Sequence, residues 1–355
     1  MSDLNGSSNN VHRSIQENPP NRDSNRQSVV YDPSYDIIPI ETNDIVRLKI
    51  FIPLATLTAL FSNLVCALLV EPSMGEVNDL YYTLLTPRKF LIGIYWLLIF
   101  ACQLGMSFMI VFTSNQRYRT EETKQTFVNG LGISYVCALF GFAFWPIFWS
   151  QEMFILSTII LAVIFLLLTY VMHSLWKHSP PTFIHRPFSF VLIYTPVQLF
   201  HQVLLTVDLP QSLLLSLKWY RSPLYDNWES HQQLHSWIIV GIVVVVGLIN
   251  SFIIYRTREI LRTVAFVYLL IAILTKGDND SKLGKLKDSP QVAGALIAMG
   301  AIGVFSFVFG FFELDGRSGG RRGRILLEDG GIFEEEEDSS RSRAMGQEQA
   351  RQSSA

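Results

Sequence analysis

The stretch that decides the fold reads Pro187-Phe-Ser-Phe-Val-Leu-Ile-Tyr194-Thr-Pro196-Val-Gln198-Leu-Phe-His201-Gln202-Val-Leu-Leu205-Thr-Val-Asp208. A helix rises about 1.5 Å per residue, so this run is long enough to cross the roughly 30 Å of a bilayer's hydrocarbon core. Tyr194, Gln198, His201, Leu205 and Asp208 follow one another at alternating steps of four and three, which puts them on one stripe of a helix. Gln202 flanks the stripe, and Pro196 removes one backbone hydrogen bond beside it. No other apolar segment carries an ionisable residue near its middle. Polar groups at membrane depth are costly, so the stripe is expected to turn toward neighbouring helices and away from lipid.

Composition agrees with a membrane chain. Of 355 residues, 49% are hydrophobic and only 16% charged, against about 25% charged in soluble domains. The net charge of −2 excludes little, because the charges crowd into tails and loops. Cys66, Cys102 and Cys137 each lie in an apolar segment, spaced for neither zinc nor a disulfide framework. No cleavable signal peptide is visible, since the first apolar run begins near Ile50.

Eight apolar segments are expected at Ile50–Val70, Phe90–Phe112, Leu131–Trp149, Met153–His173, Pro187–Asp208, Trp237–Tyr255, Ile260–Thr275 and Gln291–Phe312. The seventh is short, with Arg262 in its first turn. None of the eight carries a carboxylate in its interior on these boundaries. With the N-terminus cytosolic, fourteen Lys and Arg flank the inner side and eight the outer, which favours eight spans with both tails in the cytosol. Residues 1–46 read as a disordered polar tail and 314–355 as a second one, basic at 316–324 and acidic at 334–338. Tyr35-Asp-Ile-Ile38 fits an endomembrane sorting signal as well as plain tail sequence, and an endomembrane or vacuolar location is the expectation. Asn279-Asp-Ser281 is a glycosylation sequon in an expected lumenal loop.

Several residues invite a chemical reading. Trp96 and Trp145 lie inside their segments rather than at the interface where tryptophan anchors. His201 has two readings: a hydrogen bond across helices to Asn250, Gln103 or Asn63, or a titrating, substrate-holding group. His231 and His235 are one turn apart, a geometry open to a metal, yet they sit in a polar stretch beside Gln232 and Gln233 and no metal site is expected. Gly294, Ala298 and Ala301 form a small-residue stripe suited to a homodimer face. There is no nucleophile motif, phosphate loop, paired carboxylates or dinucleotide fingerprint, so neither an enzyme nor a cofactor is expected. One basic stretch beside a membrane gives no ground for nucleic acid as a partner.

The order of features resembles the tryptophan-rich sensory protein (TspO, or translocator protein) superfamily in its longer form. The similarity rests on Pro87, Phe90, Ile94, Trp96, Ile99 and Gln103, then Trp145 and Trp149. It continues with Leu156-Ser157 through Thr169-Tyr170, and with Arg186-Pro187-Phe188-Ser189, so that it runs roughly from residue 86 to 202. The build is also similar to a fungal multi-pass membrane family. This chain departs from the TspO pattern on the fifth segment, with Tyr194-Thr-Pro196-Val-Gln198 and His201-Gln202 in place of Tyr-x-x-Trp and a later Asn.

The resemblance implies an all-α, polytopic transmembrane bundle of about eight helices. It divides into a five-helix core over 47–209 and a loop with three further helices over 210–313. It also implies a flat, apolar ligand such as a porphyrin or sterol. From the polar stripe and the inward aromatics, the expected role is binding or transport of a small apolar or aromatic molecule between segments two, three and five. The contacts would be Trp96, Gln103, Tyr135, Trp145, Gln198, His201 and Gln202. The alternative is a non-catalytic scaffold or trafficking factor acting through its tails.

Overall fold

A computed structural model describes residues 42–112, 126–178, 190–220, 228–276 and 289–318. The sorting motif, the sequon, the Arg186–Ser189 element, the acidic run and the basic 319–324 lie outside these residues. Among the described residues there are nine helices and no strand. They are α1 (Thr42–Leu68), α2 (Met74–Leu80), α3 (Lys89–Phe112), α4 (Thr126–Ser150), α5 (Phe154–His178), α6 (Phe190–Ser216), α7 (Trp228–Thr257), α8 (Ile260–Leu274) and α9 (Pro290–Ser318). All but α2 correspond to expected segments, and seven are long and apolar enough to cross a membrane.

Several boundaries move. α1 starts at Thr42, inside the stretch read as a disordered tail, because Asp44 and Arg47 solvate its first turns. α9 likewise runs to Ser318, past the expected start of the C-terminal tail. α2 was not expected, although its signature is in the sequence. Ser73 accepts from the Glu76 amide at 3.3 Å and the Glu76 carboxylate accepts from the Ser73 amide at 2.7 Å, a reciprocal capping box. Those bonds hold the Glu76 carboxyl below its usual range.

α6 is the shaft of the bundle. Every residue from Ile193 to Asp208 is buried, and 83% of its apolar window is covered by other helices, against 28% for α1, α5 and α9. A helix covered on all sides needs no lipid-facing stripe. The Tyr194, Gln198 and His201 edge therefore does turn inward.

α6 also continues eight residues beyond its expected end. It is not regular: Phe190–Tyr194 and Leu204–Asp208 are π turns, and each is followed two residues later by a proline, Pro196 and Pro210. Proline has no amide hydrogen and its ring crowds the carbonyl four residues back, so a widened turn accommodates it. The Leu209 amide accordingly bonds to Leu204 O, five residues back. Leu209 and Pro210 lie inside α6, so the expected boundary between core and extension falls within a helix.

α8 settles its own topology through its neighbours. α7 and α9 pack side by side in parallel: Ser289 donates to Ser236 at 3.0 Å, Gly247 lies against Met299, and Gly310 lies against Tyr255 and Arg258. Between two parallel neighbours the chain has to return, and α8, shorter than the seven candidate spans, runs back along the bundle. Its start meets Trp176 and Tyr194 through Glu259. Its end meets the start of α3, where the Arg88 amide donates to Ala272 O at 2.8 Å, and Lys276 pairs with Asp79 at 3.4 Å.

On α9 the inward face is Ala293, Leu296 and Met299. Gly294, Ala298 and Ala301 are exposed, on the face no other described helix covers.

Candidate functional site

Two polar assemblies and one cleft surround α6. The first assembly sits where α5 ends and α6 and α8 begin. Glu259, the residue before α8, lies among buried groups with a side chain 12% exposed. Its Oε1 accepts from the Tyr194 hydroxyl and from Trp176 Nε1, the latter at 3.2 Å. Its Oε2 accepts from Gln198 Nε2 at 2.5 Å and lies 3.6 Å from Arg262 Nε. Trp176 also donates to the Tyr194 hydroxyl. Arg262 is 1% exposed, so it does not snorkel. Burial pushes the Glu259 carboxyl above its ordinary value.

Sequence reasoning missed Glu259. Its one signal was a glutamate four residues from a buried-looking apolar run and three before Arg262, and nothing local tells such a pair from a solvated one.

The second assembly is the middle of α6. His201 Nε2 is 3.1 Å from the Thr169 hydroxyl, and its ring stacks on Phe165 at 4.8 Å. The expected partners Asn250, Gln103 and Asn63 are not used by His201. Asn250 instead accepts from Gln202 Nε2 at 2.8 Å, while Gln202 also donates to Thr206 at 3.0 Å. Gln103 lies beside Tyr135, and both are buried. The expected single stripe is therefore split. Tyr194 and Gln198 meet α8's cap and His201 meets α5. Asp208, the last residue of the second π turn, lines a cavity with residues of α1–α4.

Asp208 overturns one expectation outright. With α6 extending to Ser216, it is a carboxylate in the interior of a span, 8% exposed, with no hydrogen-bond partner for its Oδ2.

The cleft has a volume of about 490 Å³ and opens at the rim where α1 ends and α3 begins. Its walls are Leu60 and Asn63 of α1, α2, Trp96 and Phe100 of α3, Trp145 and Trp149 of α4, and Asp208 and Gln211 of α6. Aromatic packing fixes the tryptophans. Phe142 stacks between Trp96 at 4.8 Å and Trp145 at 5.5 Å, Phe200 closes edge-on at 4.7 Å, and Trp145 leans on Trp149 at 5.6 Å. Such pairs prefer offset or edge contacts and hold their rings rigid. The indole nitrogens of Trp145 and Trp149 are buried without a hydrogen-bond partner. Gln211 anchors α2 by donating to Asn78 at 2.7 Å.

Of the seven expected contacts, Trp96 and Trp145 line this cleft. Gln103, Tyr135, Gln198, His201 and Gln202 are packed in the core. Trp149, Asp208 and Gln211 were not singled out as contacts. For the metal candidates, the His231 side chain lies outside the described residues and His235 packs 6.2 Å from Trp219. Among the described residues no three potential ligands cluster.

No curated protein and no solved structure matches this chain. A family model does: the one for TSPO-like proteins matches residues 49–309. That range takes in α7, α8 and most of α9, well beyond the 86–202 over which the motifs resemble TspO. A tryptophan-walled cleft on a bundle of apolar helices and a match over most of the chain place this multi-pass integral membrane protein in the TSPO-like family.

Proposed function

We propose that this protein binds a small, flat, largely apolar aromatic molecule in the cleft between α1, α2, α3, α4 and α6. The observation that supports this is a cavity of about 490 Å³ walled by Trp96, Trp145 and Trp149, with Asn63, Asn78 and Gln211 among its polar lining. Ligand pockets commonly fall between about 300 and 1,000 Å³ and pair an apolar lining with a few placed polar groups. Trp96 and Trp145 act as contacts, while Gln103, Tyr135, Gln198, His201 and Gln202 hold the helices that carry them. At the opposite rim the Glu259 assembly closes the bundle, so the cleft serves as a binding site with one mouth. On the Lys and Arg asymmetry, that mouth faces away from the cytosol.

The test uses full-length protein in phosphatidylcholine nanodiscs with the neutral N-acetyl derivative of 1-(aminomethyl)pyrene, read by energy transfer from tryptophan. Saturable transfer is expected, weakened severalfold by Trp145→Ala, which removes an aromatic wall contact worth about 0.5–1.5 kcal/mol. Absence of saturable binding, with Trp149→Phe and wild type indistinguishable, would sink the reading. His201→Ala is expected to leave the affinity in place, since its ring is spent on Phe165 and Thr169.

A further inference from the structure

The cleft wall carries two charged side chains, Lys89 and Asp208, and they are not equivalent. Lys89 is at the rim, half exposed and bonded to Asp79, which also pairs with Lys276 at 3.4 Å. Its charge is met within the protein and in water. Asp208 is 8% exposed, lies in the interior of α6 and lines the cleft, and its buried Oδ2 has no hydrogen-bond partner. No Lys or Arg of the described residues forms an ion pair with it. Across the same cavity stand the three tryptophans.

A carboxyl buried without a charged partner holds its proton rather than an unpaired charge, and a cation brought beside it makes the ionised form favourable again. A cation placed between that carboxylate and indole faces gains from both, through the ion pair and through the ring quadrupoles. The arrangement would repel a ligand bearing a carboxylate or phosphate at that depth.

We propose that the ligand is an organic cation: an aromatic or otherwise apolar body carrying a protonated amine, with the ammonium against Asp208 and the body between Trp96, Trp145 and Trp149. This rests on the cleft being a binding site and adds the charge of what it takes. The Asp208 carboxylate is the specificity-determining group, on the cleft wall at the end of the π turn Leu204–Asp208.

The experiment compares matched pairs in phosphatidylcholine nanodiscs at neutral pH. These are 9-(aminomethyl)anthracene, 1-(aminomethyl)pyrene and 2-(aminomethyl)naphthalene, each with its N-acetyl derivative, which has the same body and no charge. The wild type is expected to bind each amine at least tenfold more tightly than its amide. Asp208→Asn is expected to abolish that preference, with a circular-dichroism spectrum like that of wild type checking that the variant is folded. A thermal shift of the wild type, larger with each amine than with its amide at the same concentration, gives a second readout that needs no variant. Amides binding the wild type as tightly as amines would overturn the cation assignment and leave the cleft intact. No saturable binding of any of the six compounds would overturn the cleft as well. A preference that survives Asp208→Asn would move the charge recognition elsewhere and refute the role of this residue.

Discussion

Removing the Glu259 carboxylate is the most informative perturbation of the fold. Arg262 is 1% exposed, and among the described residues its ion-pair partner is Glu259, with Nε and Oε2 3.6 Å apart. Arg262 Nε and Nη1 have no hydrogen bond of their own, so the carboxylate supplies nearly all the compensation for this buried charge. Breaking such a pair from one side costs about 3–5 kcal/mol. Glu259→Ala also strips an acceptor from Gln198 Nε2 and from the Tyr194 hydroxyl, at about 1 kcal/mol each, although Tyr194 keeps its contact with Trp176. The expected loss is therefore about 5 kcal/mol. Glu259→Gln keeps an acceptor but not the charge, and is expected to lose about 3 kcal/mol.

The decisive variant is Glu259→Gln combined with Arg262→Met, which leaves no charge to compensate. It is expected to recover most of the loss, because well-packed apolar replacements of buried pairs are often neutral or better. Equilibrium unfolding of the purified protein in mild detergent, followed by tryptophan fluorescence, gives the four stabilities of the cycle. The reasoning fails if Glu259→Ala unfolds within about 1 kcal/mol of wild type, or if the double variant is as unstable as the two singles summed.

Three further outcomes follow from the geometry. Gly247→Val drives new side-chain atoms into Met299, which a bare Cβ would already meet at 2.5 Å; a loss of about 1–3 kcal/mol is expected in the same unfolding assay, relieved in part by Met299→Ala. If α8 crosses the membrane, single cysteines replacing Arg258 and Lys276 will react with an impermeant maleimide from opposite faces of sealed vesicles, and labelling from one face would refute the crossing. Tyr81, at the cleft rim, donates to Glu152 at 2.6 Å, and that bond pushes its hydroxyl up to about 12 from 10.0. The neutral phenol is the form the fold favours, so this contribution is intact below pH 10 and is lost as pH rises from about 10 to about 12. An ultraviolet phenolate titration should show that step in wild type and lose it in Tyr81→Phe.

The fold class, the eight apolar segments with the seventh short, and the inward turn of the Tyr194–His201 edge were all legible in the chain. Each of these depends on how many consecutive residues avoid water and on the spacing of those that do not, and both quantities are local. Trp96 and Trp145 were legible as wall residues for the same reason: a tryptophan deep inside a segment has no interface to anchor.

Only the tertiary structure decided which groups meet. The partner of Arg262 lies three residues away, yet the pair is buried only because α5 and α6 deliver Trp176, Tyr194 and Gln198 to it. Asp208 reads as the polar end of a segment until Pro210 is absorbed by a widened turn and α6 runs on to Ser216. With that turn, which no apolar periodicity encodes, Asp208 shares the wall of the cleft with Trp96, Trp145 and Trp149. Burial of a polar atom is a property of the elements packed around it, so the chemistry of the cleft became visible only when those elements were in place.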